Sequence, residues 1–127
     1  MIKKLNKRNI GNILIIDERG EFSNMQGENI DSIKFSNKKY AFDFAVRSLS
    51  PKIVVTDELS TFEDWKCVET AINSGVKIVA SCHATNEKFL QNKEFFKKGL
   101  FERYVILSSK NEIGQVESVK NGEFNTV

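Results

Sequence analysis

Four apolar residues in succession, Ile13, Leu14, Ile15 and Ile16, run straight into the polar cluster Asp17, Glu18, Arg19 and Gly20. An unbroken run stopped this abruptly predicts a strand over residues 12–17 that is covered on both faces, as parallel strands are. Residues 22–38 mix polarity without a period and read as loop. Over residues 39–49, Phe42, Ala45, Val46 and Leu49 fall at helical spacing, and Ser50 followed by Pro51 ends that helix. A second buried strand is predicted at residues 52–56. Ser60 with Glu63 three residues later reads as a capping box, opening a helix whose apolar face is Phe62, Trp65, Val68, Ala71 and Ile72, with Gly75 as its stop. Residues 76–82 read as a third strand. A helix over 87–98 then carries Phe89, Leu90, Phe95 and Phe96 and closes at Gly99, before a fourth strand at 101–107 and a weak fifth at 115–119.

Apolar strands separated by helices of about 11 to 14 residues are the spacing that right-handed parallel crossovers use. The predicted class is therefore α/β, a mainly parallel sheet with flanking helices. The length, 127 residues, suits a single domain over residues 1–127, with 1–11 and 120–127 as flexible ends. Lys and Arg number 19 against 17 Asp and Glu, a net charge of +2, so no basic excess calls for a nucleic-acid partner. The aliphatic run at 13–16 is far short of the roughly 20 residues that span a bilayer. Direct membrane insertion is not expected, and a cytoplasmic location is. Cys67 and Cys82 with His83 do not make a four-ligand metal site, and the two cysteines read as structural thiols.

In open parallel sheets ligands gather beyond the carboxyl ends of the strands. Three predicted strands end there in reactive groups: Asp17 and Glu18, Asp57 and Glu58, and His83. Ile53, Val54, Val55 and Thr56 followed by Asp57 and Glu58 fit the Walker B pattern. In that pattern an apolar strand holds one carboxylate near a magnesium ion bridging nucleotide phosphates, and the second orients the attacking water. The same residues also fit a solvated strand-to-helix loop, and His83 also fits a neutral histidine bonded to a neighbouring loop.

A longer match adds to this. Val46, Arg47, Ser48, Leu49, Ser50 and Pro51, then the acidic strand, then Asn73, Ser74 and Gly75, then Ser81, Cys82, His83, Ala84, Thr85 and Asn86 follow in an order that resembles the core of the secretion and pilus ATPase superfamily. Within it the likeness is to the stage III sporulation AA family. It also includes Ile16 to Glu21 near the start and Gly99 to Ser108 near the end. The resemblance implies an incomplete RecA-like P-loop ATPase core that uses ATP and Mg2+. It implies Asp57 on the metal side and Glu58 as the catalytic acid, with His83 sensing the γ-phosphate. Asp17, Glu18 and Glu21 would form the acidic box beside the nucleotide, Asp17 and Glu21 toward the cofactor and Glu18 on the catalytic side. Arg47 and Arg103 precede strands and belong at the opposite edge.

No stretch matches G-x-x-x-x-G-K-[ST], whose amides and lysine cradle phosphates. The resemblance places that missing loop after a strand between the third and fourth strands present here. Its absence leaves either those two strands paired directly or an unpaired apolar edge. The expectation is an ATPase-like C-terminal part that does not hydrolyse ATP alone, with other sporulation proteins or an intact ATPase subunit as partners and a homo-oligomer as a further option. Two rivals stand beside it. One is a non-catalytic adaptor that docks through the sheet edge or the Trp65 helix. The other is a receiver-like phosphotransfer domain using Asp17, Asp57 and Lys110.

Overall fold

The computed structural model describes residues 2, 4, 11–18, 30–33, 37–110 and 112–127. They form two compact units, Met1–Phe95 and Phe96–Val127. In the first, strands β1 (Ile13–Ile16), β2 (Ile30–Ile33), β3 (Ile53–Thr56) and β4 (Lys77–Ala80) make one parallel sheet in the order β2-β1-β3-β4. Ile13 pairs with Ile30 on one side and with Ile53 on the other, and Ile53 pairs with Lys77. Every residue of β1 and β3 is buried, which is why these segments read as continuous apolar runs. The α/β class and the parallel sheet hold.

Side chains alternate across a strand, and the two faces separate accordingly. Ile13, Ile15, Ile53 and Val55 cluster with Ile2, with Ile30 and Val79 packed at the margin. Leu14, Ile16 and Val54, equally buried, lie on the other face. There α1 (Lys38–Phe44) packs against β1, α2 (Phe62–Asn73) packs against β4, and the two helices pack on each other. They bury Ala41, Phe42, Trp65, Val68 and Ala71.

Several boundaries differ from the sequence reading, each for a physical reason. The segment read as loop over 22–38 contains β2, a strand whose central Asp31 and Ser32 are exposed at the sheet margin and so carry no apolar period. The helix read over 39–49 starts at Lys38, with Asn37 capping the Tyr40 amide, and its second half is a π-helical turn, Ala45–Leu49. That turn ends at Ser50, whose left-handed backbone at φ 42° precedes Pro51. The capping box of α2 is Thr61 with Asp64 rather than Ser60 with Glu63, because the Asp64 carboxylate accepts from the Ser60 and Thr61 amides. Phe62 is exposed rather than core. Gly75, at φ +89°, does close α2. The helix read over 87–98 is only α3 (Glu87–Gln91). Beyond it the chain runs in turns, and Phe95 stacks on Trp65 at 5.3 Å.

The second unit is an antiparallel ribbon of β5 (Arg103–Leu107) and β6 (Val116–Asn121). The fourth predicted strand therefore does not extend the parallel sheet. Tyr104, Phe96, Phe101 and Phe124 pack ring to ring, with Tyr104 and Phe124 centroids 5.0 Å apart. In the closing residues, Asn121 accepts from Phe124 and bonds Asn125, and Phe124 is buried. The region 120–127 thus carries part of this aromatic cluster.

The start of α2 generates a pH prediction. Burial alone would raise the Asp64 pKa, but the Ser60 and Thr61 amides, the Lys38 charge and the Thr61 side chain outweigh it and hold the carboxyl below its ordinary value. A lowered folded pKa stabilises fully above the unfolded value of about 4 and loses that contribution as the pH falls through the folded value. Asp64→Asn is expected to cost about 1 kcal/mol at pH 7, with the gap from wild type narrowing at pH 3, measured by urea unfolding at both pH values.

Candidate functional site

The sheet order fixes where a site belongs. From β1 the chain first adds β2 on one side and then β3 on the other, so the topological switch point is the crevice beyond the carboxyl ends of β1 and β3. Ile16 pairs with Thr56, which sets Asp17 and Asp57 side by side as the first residues past paired strand ends. Both are buried, at 2% and 7% exposure. The Asp17 amide donates to the Ile33 carbonyl, and the Leu59 amide donates to the Ser81 carbonyl. These bonds tie the loop after β1 to β2 and the loop after β3 to the loop after β4.

Lys38, at the end of the segment predicted as loop from the sequence, completes the cluster. Its side chain is 7% exposed, and its Nζ donates to the Glu58 carbonyl oxygen. The same nitrogen lies 3.5 Å from Asp57 Oδ1, 3.7 Å from Glu18 Oε2 and 3.8 Å from Asp64 Oδ2. One signal in the sequence pointed to it. Lys38 and Lys39 follow a helix cap directly, where the macrodipole disfavours positive charge, and such a lysine calls for a compensating anion.

Glu18, Asp57, Glu58 and Ser60 line a cavity of about 360 Å³. Both Asp57 carboxylate oxygens are buried there and accept no hydrogen bond among the described residues. A second cavity, lined by Glu58, Ser60, Trp65, Cys82, His83, Lys93 and others, shares Glu58 and Ser60 with the first. The structure therefore gathers Asp17, Glu18, Asp57 and Glu58 at one edge and puts exposed His83 in the wall of the neighbouring cavity. Glu21 lies outside the described residues. Arg47 is exposed on the π-helical turn, and Arg103 donates to the Glu102 carbonyl. Trp65 itself is buried, while Phe62 on the same helix is exposed.

Magnesium suits this edge in donor type, since it takes hard carboxylate oxygens and keeps waters and phosphate oxygens for the rest of its shell. Among the described residues no group of three His, Cys, Asp or Glu is placed to hold a metal. A full protein cage for a metal is therefore absent among these residues, and Asp57 is the buried carboxylate beside the cavity.

A parallel sheet with acids gathered at its switch point defines an α/β domain. The family described as Sporulation stage III, protein AA, matches residues 7–126, and the chain belongs to that family. Stage III sporulation protein AA of Bacillus subtilis (strain 168) is 26% identical over 125 residues, covering 89% of this chain and 41% of the relative. The chain therefore spans about two fifths of that relative's length. Among the described residues no helix is long and apolar enough to cross a membrane.

Two predictions come from this geometry. Removing one partner of a buried ion pair strands the other, so Lys38→Met is expected to cost about 3 kcal/mol. Adding Asp57→Asn should recover part of that loss, giving a coupling above about 1 kcal/mol in a double-mutant cycle read by urea unfolding. Burial pushes the thiols of Cys67 and Cys82 above the ordinary range, with Asp43 adding to the shift at Cys67 and Lys93 partly opposing it at Cys82. Both are expected to react with iodoacetamide more slowly than free cysteine at pH 7.5, and markedly faster only as the pH passes about 9.

Proposed function

We propose that this chain is an ATPase-like domain of the sporulation machinery that carries the acidic half of a nucleotide site and does not hydrolyse ATP alone. The observation that carries this reading is Asp57: a residue lining a cavity at the switch point of a parallel sheet, with a buried carboxylate that accepts no hydrogen bond among the described residues. In the proposed roles Asp57 holds the metal side of a magnesium nucleotide and Glu58 orients the attacking water. Asp17, Glu18 and Glu21 form the acidic margin, and His83 reads the terminal phosphate from the loop after β4. Magnesium, when bound, would neutralise charge on the transferring phosphoryl group. The chain's own groups position that ion and the water. The phosphate-cradling loop, absent from this sequence, has to come from elsewhere.

An adaptor role is the second reading, and one observation favours it. β4 ends the sheet order with β3 as its sheet neighbour, and β5 belongs to a different sheet. A strand in that position is a template for strand addition by a partner, whether another sporulation protein, an intact ATPase subunit or a second copy.

The purified chain is expected to show no magnesium-dependent ATP turnover. Supplying a polypeptide that carries a G-x-x-x-x-G-K-[ST] loop and its strand is expected to create turnover that Glu58→Gln abolishes. Turnover by the chain alone, lost in Glu58→Gln, would contradict the first half. Binding to an intact ATPase with no Glu58-dependent turnover under any mixture would favour the adaptor.

A further inference from the structure

The ammonium of Lys38 sits where a metal ion would be drawn. Three carboxylates from three separate places in the chain converge on it: Glu18 beyond β1, Asp57 beyond β3 and Asp64 in the first turn of α2. The stem that delivers it is buried at the start of α1, and the Glu58 carbonyl fixes one of its protons. Asp57 accepts no hydrogen bond among the described residues, so the compensation on show for its buried charge is this ammonium. A divalent ion within bonding distance of an Asp57 oxygen, at about 2.1 Å, would lie within a few ångströms of the same ammonium. Two cations that close repel strongly in a partly desolvated cleft.

We infer that Lys38 is the resident counter-ion of the acid cluster and competes with divalent metal for it. While Lys38 is seated, its ammonium offsets one of the three negative charges and stands where a free ion would be drawn, which lowers the cluster's affinity for that ion. Metal enters as Lys38 leaves Asp57, so the lysine sets how tightly and when the edge is charged. This rests on the reading that the edge takes a magnesium nucleotide, and it adds a residue and a mode of regulation that the acidic motif does not contain. The exchange breaks ion pairs and one hydrogen bond, and makes no covalent change.

The test is Mn2+ titration without nucleotide, by calorimetry or by the electron paramagnetic resonance signal of free Mn2+. Lys38→Met, checked for folding by circular dichroism, is expected to bind Mn2+ at least tenfold tighter than wild type, and Lys38→Met/Asp57→Asn is expected to lose that gain. Equal or weaker binding by Lys38→Met overturns the inference while leaving a metal site at this edge intact. Binding by neither protein overturns both. A second measurement uses the wild-type chain and does not depend on the variant folding. Acetylation of Lys38 by an amine-reactive ester, followed by mass spectrometry, is expected to speed up several-fold when millimolar Mn2+ is added at constant ionic strength. An unchanged or slower rate at saturating Mn2+ overturns the proposal.

Discussion

A carboxylate has to leave a strand that is buried along its whole length, and that constraint organises the first unit. β3 lies between β1 and β4 with both faces covered, so Asp57 emerges inside the protein rather than at its surface. A buried carboxylate without hydrogen bonds is costly unless a cation stands close. Lys38 is that cation, and it reaches the site only if α1 begins where it does. Asn37 caps the helix at that point, and buried Ala41 and Phe42 hold it in the core. The same ammonium also faces Asp64, whose side chain starts α2. One side chain therefore links the ends of β1 and β3 to the starts of both helices on that face.

This linkage gives the edge a dual character. Structurally it is an ion cluster in which one lysine ties the starts of two helices to the strand ends. Chemically it keeps an acidic pair poised at the switch point, the position from which doubly wound sheets present ligands. The chain belongs to the stage III sporulation AA family and spans about two fifths of the length of its Bacillus subtilis relative. Among the described residues, β4 ends the sheet order beside β3.

Much of the fold was legible because its signals are local. The short, largely β-branched apolar runs of β1 and β3 favour strands covered on both faces, and Gly75 closes α2 as a left-handed stop. The acids were legible as well, since Asp17 and Asp57 follow those strands directly. What escaped depended on tertiary context. β2 is polar in its centre because it lies at the sheet margin, so periodicity gave no sign of it. β5 and β6 look like further core strands, yet they pair antiparallel with Val105, Leu107 and Val116 exposed. Lys38 is one of two adjacent lysines, and only the three-dimensional arrangement buries this one and exposes the other. The acids at the strand ends were thus visible from strand patterning, while the seating of Lys38 among them was set by tertiary packing.

Paramagnetic broadening tests the location of the site most directly, because it detects even weak and transient ion contact. In a titration of the isotopically labelled chain with Mn2+, amide signals of Glu18, Asp57 and Glu58 should broaden first and most, with Lys38 close behind. Broadening centred on the exposed acids of the second unit, such as Glu112, Glu117 and Glu123, with the β1 and β3 edge unaffected, would contradict a metal-facing acid cluster at the switch point.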